Sequence, residues 1–337
     1  MREVAIIGIG QTPADEHWQK SLRELAGDAV LAAFQDAGLE SVEGLFAGNM
    51  ISGAANHQQH LGVYIADWVG LQHPSALRIE AACGSGSAAF RAAFMAVASG
   101  AMDTAVAVGV EKMTDSPGGE ITAQLATAAD ADWEQDQGVS FVALNALIMQ
   151  RYMYEYGWKH EHFAPFSINA HANAVYNPNA RFQEAITEAQ YKRAPMIADP
   201  INLLDASPMA DGAAAAVLVP LDSFHGAHRL VRVAASSAAT DTISIHNRRD
   251  PLWLAAAERS SLEAYRQAGV QPGDIQVFEA HDAFSIMAAL SLEACGFAER
   301  GQGPRLGLDG EICPGGRIPI ATRGGLKARG HPVGATG

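Results

Sequence analysis

The chain has 337 residues, of which 48% are hydrophobic and 18% are charged. Such a chain can bury a large core, so a disordered protein is excluded. An aromatic fraction of only 7% together with 33 glycines favours helices packed closely on sheets, and therefore an α/β fold. The formal net charge of −14 repels phosphodiester backbones and anionic lipid surfaces, which makes nucleic acids and membranes poor partners.

The cysteine count and the apolar runs give the expected compartment. Cys83, Cys295 and Cys313 are odd in number and far apart, so neither a disulfide framework nor a four-ligand zinc site is indicated. No apolar run approaches the roughly 18 residues of a membrane span, and the first strand-like run has no charged leader before it. We expect a cytoplasmic protein.

Strand-like and helix-like runs alternate along most of the chain. In the first part, strands are predicted at 3–9, 44–51, 76–81 and 104–109, and helices at 21–37, 59–69 and 84–99. The alternation of strand-like and helix-like runs stops at about 112–200, which we predict to be an inserted loop subdomain. It returns with strands at 213–219, 230–235 and 275–279 and helices at 252–268 and 285–294. The chain is thus predicted to divide into similar halves, 1–220 and 221–337.

A cysteine stands where a predicted strand meets a predicted helix. The segment 80–87 reads Glu-Ala-Ala-Cys-Gly-Ser-Gly-Ser, which places Cys83 just before a helical turn of small residues. The positive end of the helix dipole stabilises a thiolate, and the following backbone amides can stabilise an oxyanion. These features predict a nucleophile with a lowered pKa. The alternative is a buried structural cysteine.

Two histidines in the second half have comparable settings. Residues 324–337 read Gly-Gly-Leu-Lys-Ala-Arg-Gly-His-Pro-Val-Gly-Ala-Thr-Gly, so His331 lies among glycines at another predicted helix start. If the halves are related by an approximate twofold axis, His331 can meet Cys83, and a Cys-His pair is a standard means of activating a thiol. His281 follows the predicted strand at 275–279 and can donate to a substrate carbonyl. The alternative for both is a core histidine held by backbone groups.

Five motifs, in order along the chain, resemble those of the thiolase superfamily. They are the cysteine loop at 80–87, Gly-Val-Glu-Lys-Met-Thr at 109–114, Ala-Asp-Gly-Ala-Ala-Ala at 210–215, His-Asp-Ala-Phe at 281–284 and Gly-His-Pro at 330–332. The His-Asp-x-Phe form is similar to that of the sterol-carrier-protein-type and archaeal acetyl-CoA acetyltransferase branch. The resemblance implies a thiolase fold, in which two similar β-α halves form a five-layer αβαβα arrangement with an inserted loop subdomain.

The resemblance also implies the catalytic roles. Cys83 takes an acyl group from one acyl-CoA, His331 is the base that activates it, and His281 polarises the thioester oxygen of a second substrate. The implied reaction is the Claisen condensation of two acetyl-CoA to acetoacetyl-CoA, or its thiolytic reverse. Coenzyme A thioesters are the substrates, with no separate cofactor and no metal.

Two departures from the family pattern concern the second catalytic cysteine of many thiolases. The position that holds it in the His-Asp-Cys-Phe loop is Ala283, and the chain ends before the Cys-x-Gly loop that holds it elsewhere. Cys313 precedes the Gly-His-Pro loop and is not taken as its equivalent. His331 is then expected to serve both steps. Because the family continues with a helix after Gly-His-Pro, we also expect a fragment of a longer protein with His331 poorly fixed.

Partners and alternatives follow from the same resemblance. It implies a homodimer or homotetramer, a hydroxymethylglutaryl-CoA synthase partner and a small zinc-ribbon and OB-fold protein that helps to bind CoA. Because CoA is anionic, an acidic chain needs a local basic patch, for which Arg181, Lys192 and Arg193 are candidates. The alternatives are a thiolase-fold aldolase, an acyltransferase to a non-CoA acceptor, and a non-catalytic CoA-binding or scaffold subunit.

The sequence also contains two histidine pairs that are predicted to be solvated surface residues: His57 with His60 and His160 with His162.

Overall fold

The computed structural model describes residues 2–223 and 230–337. The strands are β1 (Val4–Gln11), β2 (Gly44–Gly48), β3 (Ser75–Ile79), β4 (Ala105–Glu111), β5 (Met196–Ala198), β6 (Ile201–Asn202), β7 (Gly212–Pro220) and β8 (Val231–Arg232). The helices are α1 (Leu22–Ala37), α2 (Ser52–Ala55), α3 (Leu61–Trp68), α4 (Ser85–Ser99), α5 (Gly118–Ala126), α6 (Phe141–Tyr156), α7 (Ala164–Ala174), α8 (Glu188–Arg193), α9 (Ala255–Ala268), α10 (Ser285–Ala294), α11 (Gly303–Leu308) and α12 (Gly325–Arg329). Among these helices, none is long and apolar enough to cross a membrane.

The chain folds into two compact units, each assembled from segments that are distant in sequence. The first unit contains Met1–Gln124, Met209–Ser236 and His331–Gly337. The second unit contains Leu125–Pro208 and Ser237–Gly330. The last seven residues therefore belong to the unit that begins the chain.

A six-stranded mixed sheet forms the centre of the first unit, in the order β3-β2-β4-β7-β1-β8. β2 pairs in parallel with both β3 and β4, and the remaining pairs are antiparallel. The carboxyl ends of β2, β3 and β4 therefore lie at one edge of the sheet, beside the start of β7. This is the edge at which ligands commonly bind in open α/β sheets.

Both faces of this sheet are covered by helices. Alternate residues along β4 face opposite sides, because side chains alternate in a strand: Val106 and Val108 pack in the cluster that contains α1, and Ala105 and Ala107 pack in the cluster that contains α4. α1 begins with a capping box at Ser21 and has an amphipathic sequence. The two-sided burial explains why β2 and β4 contain only buried residues.

Helices make up most of the second unit. Residues of α6, α7, α10 and α12 share one apolar cluster, which includes Tyr152, Phe163, Ile286 and Ala328. The strands of this unit among residues 125–208 and 237–330 form one short pair, β5 with β6. α10 begins directly after the His-Asp-Ala-Phe motif, and α12 ends at Arg329, two residues before His331.

Most predicted elements of the first unit are present within a few residues of their expected bounds. The predicted strand at 275–279 is wrong: the backbone there forms only an isolated bridge between Phe278 and Ile320. The stretch at 112–200, expected to be loops, carries α5 to α8. Gly138, Gly157 and Asn177 lie at breaks between these helices. α7 has Pro165 in its first turn, where no backbone N–H is needed.

Candidate active site

Cys83 lies in a sharp turn that connects β3 to α4. The preceding residue, Ala82, has a left-handed φ of 49°, and Gly84 is the N-cap of α4. Ser85 stabilises the turn, because its Oγ accepts from the Ala81 N–H at 2.9 Å and donates to the Ala82 carbonyl at 2.6 Å. The turn thus fixes Cys83 at the start of a 15-residue helix, as the sequence predicts.

The thiol of Cys83 is only partly accessible and is held as a neutral group. Burial raises its pKa to about 12, and the negative charge of Glu111 acts in the same direction. The expected lowering of this pKa is therefore wrong, because burial and the nearby carboxylate both disfavour the thiolate. A neutral thiol must transfer its proton to a base when it attacks a carbonyl.

Glu111, at the end of β4, is a fully buried carboxylate that the sequence analysis did not single out. Its Oε1 accepts from Asn49 Nδ2 at 2.7 Å and from the Ile51 N–H at 3.2 Å, and its Oε2 accepts from the N–H groups of Met50 and Gly334, at 3.0 and 2.9 Å. Burial raises the pKa of Glu111 to about 7, although these hydrogen bonds oppose the rise. Glu111 therefore connects the ends of β2 and β4 to the segment that follows His331.

His331 lies in the same unit as Cys83. One of its ring nitrogens is within 4.8 Å of the Cys83 Sγ. The residue is 9% exposed, and its backbone forms an isolated parallel bridge with Met209, three residues before β7 begins. The expectation that His331 is poorly fixed is wrong, because its backbone and its ring both have defined partners.

The hydroxyl of Thr336 is the hydrogen-bond partner of one ring nitrogen of His331. His331 Nδ1 lies 2.7 Å from Thr336 Oγ1, and that hydroxyl donates its hydrogen to the Pro332 carbonyl at 3.1 Å. Where the hydroxyl donates its single hydrogen to Pro332, its oxygen accepts from Nδ1–H. In this tautomer Nε2 has the lone pair that can receive the thiol proton.

Glycines allow the segment 331–337 to approach β4 and α4 closely. A Cβ built on Gly109 would lie 2.7 Å from Ala335 Cα, and one built on Gly86 would lie 2.9 Å from the Gly334 carbonyl oxygen. Neither glycine has a positive φ. They are required here for space, because a side chain would push the His331 segment away from the helix that carries Cys83.

His281 belongs to the second unit and precedes α10. The next residue, Asp282, is buried and accepts the Leu326 N–H at the start of α12 at 2.7 Å, and Ala283 accepts the Ser207 N–H at 2.9 Å. The His281 side chain is accessible but is ringed by protein atoms, which weaken solvation of the imidazolium. This desolvation, followed by the positive charge of Arg329, lowers the pKa of His281 to about 4. At neutral pH it is an uncharged hydrogen-bond donor.

The other cysteines are in the second unit. Cys295 is buried in its apolar cluster, and Cys313 is half-buried beside it. Burial raises the pKa of both thiols. Ala283, the position of a second catalytic cysteine in similar enzymes, is buried and has no reactive group.

One of the histidine pairs predicted at the surface is not there. His160 Nε2 lies 2.6 Å from Asp205 Oδ2, and its ring stacks on Tyr191. His162 packs edge-on against Trp158. Asp205 is buried and also accepts from Tyr191 and Ser285, so His160 is part of an internal network that sequence spacing could not reveal. His57 and His60 are exposed, as predicted.

The candidate CoA-binding cations lie on α8 and in the loop before it. Lys192 and Arg193 are exposed at the end of α8, where Lys192 pairs with Glu188 at 2.6 Å. Arg181 is half-buried, and its guanidinium lies 5.8 Å from the centre of the Phe182 ring.

Family models match nearly the whole chain. The thiolase N-terminal domain matches residues 4–222, and the thiolase C-terminal domain-like model matches residues 237–336. The chain belongs to the thiolase family. The five sequence motifs therefore identified the family correctly.

Relatives and solved structures agree with this membership. The chain is 45% identical to an acetyl-CoA acetyltransferase of Methanothermobacter thermautotrophicus, over 100% of this thiolase and 88% of that protein. It is 29% identical to sterol carrier protein 2 of Bos taurus, over 99% of this chain and 64% of that protein. The Ltp2-ChsH2(DUF35) aldolase superposes with a TM-score of 0.81 at 26% identity, covering 98% of this chain and 86% of that one. Human mitochondrial 3-ketoacyl-CoA thiolase superposes with a TM-score of 0.75 at 16% identity, covering 99% of this chain and 89% of that one, so the chain has the thiolase fold.

Proposed function

We propose that the chain is an acetyl-CoA C-acetyltransferase that condenses two acetyl-CoA to acetoacetyl-CoA and catalyses the reverse thiolysis. The observation that carries this proposal is the Cys83 thiol within 4.8 Å of a ring nitrogen of His331, whose Nδ1 is bound by Thr336. The acetyl-CoA acetyltransferase of Methanothermobacter thermautotrophicus, which is 45% identical, supports the choice of substrate.

The first half-reaction is acyl transfer to Cys83. His331 Nε2 removes the proton as Sγ attacks the thioester carbonyl, which is necessary because burial raises the pKa of the thiol to about 12. Backbone N–H groups at the start of α4 stabilise the oxyanion of the tetrahedral intermediate. The carbon–sulfur bond to CoA then breaks, the CoA sulfur takes the proton from His331, and an acetyl-Cys83 thioester remains.

The second half-reaction forms the carbon–carbon bond. His331, neutral again after CoA leaves, takes a proton from the methyl carbon of the second acetyl-CoA, since Ala283 offers no thiol for this step. His281 donates a hydrogen bond to the thioester oxygen, where the enolate charge develops. The carbanion attacks the acetyl-Cys83 carbonyl, the carbon–sulfur bond to Cys83 breaks as acetoacetyl-CoA forms, and the Cys83 thiolate takes the proton from His331. A lowered pKa keeps His281 uncharged, which suits it to donate this hydrogen bond.

Cofactor, assembly and compartment are part of the same proposal. CoA thioesters are substrates, and we assign their phosphates to the basic side chains of Arg181, Lys192 and Arg193. We propose a homodimer or homotetramer in the cytoplasm. We also propose a zinc-ribbon and OB-fold partner and a hydroxymethylglutaryl-CoA synthase partner, for which the name of the Ltp2-ChsH2(DUF35) aldolase supports only the presence of a second component.

Acetylation of the protein separates this proposal from its alternatives. Incubation with acetyl-CoA should add one acetyl group to the peptide that contains Cys83, and addition of more acetyl-CoA should yield acetoacetyl-CoA. An aldolase needs no acyl-enzyme, a scaffold subunit would bind CoA without acetylation, and an acyltransferase to another acceptor would acetylate without condensing. Absence of acetylation of the wild-type protein would refute the proposal.

A further inference from the structure

Lys327 is a buried lysine that none of the steps above uses. It lies in α12 and is 5% exposed. Its Nζ donates to the carbonyl of Ala206 at 2.8 Å and to that of Leu203 at 3.3 Å. A buried ammonium is costly unless it is paired and hydrogen-bonded, so this placement requires specific partners.

The charges around Lys327 identify those partners. Burial lowers its pKa to about 8, while the carboxylates of Asp205 and Asp282 oppose this fall. His171, on α7, is the other titratable group that interacts with it, and the positive charge of Lys327 contributes to the lowered pKa of His171. The negative charges of Asp205 and Asp282 therefore favour the protonated form of Lys327.

The carbonyls that Lys327 binds belong to the segment that supports the His281 loop. Ala206 forms an isolated bridge with Phe284, and the Ser207 N–H donates to the Ala283 carbonyl at 2.9 Å. The neighbouring residue Asp205 accepts both the N–H and the hydroxyl of Ser285, the first residue of α10. Movement of Ala206 would be transmitted directly to residues 283–285.

The opposite side of the loop is also held by α12. Asp282 Oδ1 accepts the N–H of Leu326, the residue before Lys327. A Cβ on Gly325 would lie 2.1 Å from Asp282 Oδ2, so the first turn of α12 packs directly on this carboxylate. The helix therefore holds Asp282 through a backbone amide and Ala206 through the lysine side chain.

We infer that Lys327 is a positioning residue for the condensation half-reaction: it fixes the backbone that carries His281 by binding the carbonyls of Leu203 and Ala206. The inference rests on the proposed function, in which His281 acts on the second substrate and not on the acylation of Cys83. Loss of Lys327 should therefore affect the two half-reactions unequally. A displacement of about 1 Å at such a donor costs on the order of 10²-fold in rate.

The test compares Lys327→Met with Lys112→Met in the full chain. Lys112 is a matched control, because it is 1% exposed and binds Asp211 at 2.9 Å within the first unit. Both variants lose a buried ammonium, and both are expected to have lower melting temperatures. Acetylation of Cys83 in a single turnover and formation of acetoacetyl-CoA are then measured separately.

Lys327→Met should keep single-turnover acetylation within about twofold of wild type while condensation falls roughly 10- to 100-fold. Lys112→Met should change both half-reactions by similar factors. Equal losses in the two half-reactions of Lys327→Met would overturn the inference. The proposed function is tested separately, on the wild-type protein. It is refuted if that protein is not acetylated or does not condense acetyl-CoA.

Lys327→Arg provides a second measurement if the Met variant does not fold. The lysine has a pKa of about 8, whereas arginine stays protonated throughout the accessible range. The alkaline limit of condensation should therefore move to higher pH in Lys327→Arg, and that of acetylation should not. An unchanged alkaline limit for condensation would overturn the inference.

Discussion

Thr336→Val tests the most specific feature of the site, the tautomer of His331. Valine has nearly the shape of threonine but cannot accept the hydrogen bond from His331 Nδ1, which measures 2.7 Å in the structure. The Nδ1–H is then left without this acceptor in a residue that is only 9% exposed. The imidazole can respond by moving its proton to Nε2, and that tautomer cannot accept the thiol proton.

The expected size of the effect follows from the burial of these groups. Removing one partner of a buried hydrogen bond costs about 1–3 kcal/mol, which is roughly 5- to 150-fold in rate. Thr336 itself is partly exposed, so water can replace some of the lost interaction. We therefore expect the lower part of this range, about tenfold slower acetylation of Cys83.

Single-turnover acetylation, quenched at short times and followed by mass spectrometry of the Cys83 peptide, measures this rate directly. Thr336→Ser is the matched control, because it keeps the hydroxyl and should remain within about twofold of wild type. Melting temperatures of both variants show whether any loss is a folding defect. If valine and serine acetylate at the wild-type rate, Thr336 does not set the tautomer and the reasoning is wrong.

Three further predictions concern other residues of the site. Cys83→Ala should abolish the acetyl adduct, and an adduct on Cys295 or Cys313 in the wild-type protein would contradict the assignment of the nucleophile. His281→Ala should reduce condensation by about 10²- to 10³-fold with acetylation largely retained, because it removes an oxyanion donor; equal losses would refute this division of roles. Glu111→Gln should change the pH dependence of stability. The folded-state pKa of Glu111 is raised from 4.5 to about 7, so its contribution is fully present below about pH 4.5 and is lost as the pH rises through 7. Relative to the Gln variant, the wild-type protein should lose about 3 kcal/mol of unfolding free energy between these limits, and parallel denaturation midpoints across pH would contradict the shift.

The sequence predicts the first unit well because local and tertiary signals agree there. α4 begins at the small residues after Cys83 and ends at Gly100 in the left-handed conformation, both of which are readable from composition. The segment at 275–279 has the pattern of a strand, but pairing depends on a neighbour. Only a single bridge to Ile320 is present among the described residues. A strand pattern alone does not supply that neighbour.

The proximity of Cys83 and His331 could be predicted, but the electrostatics around them could not. Cys83 and His331 are recognisable because each lies among glycines at an expected helix start. Glu111 lies in the motif at 109–114 and Thr336 in the segment at 324–337, yet their roles depend on which atoms lie beside them after folding. The predicted direction of the shift in the Cys83 pKa is wrong for the same reason. A sequence indicates the helix dipole, but it does not show how deeply the thiol is buried or that Glu111 lies nearby.

The glycines that face the last segment have a consequence for how this protein can vary. At Gly86 and Gly109, one added methyl group has nowhere to go except into the backbone of residues 334–335. A methyl group there would push residues 334–335 away and increase the distance between the Cys83 thiol and the His331 ring, although neither side chain is altered. Gly86 and Gly109 therefore tolerate no larger residue, although neither has a reactive side chain, because the distance between Cys83 and His331 depends on them. Alanine at either site would leave the Cys83 and His331 side chains intact and still prevent the proposed proton transfer between them.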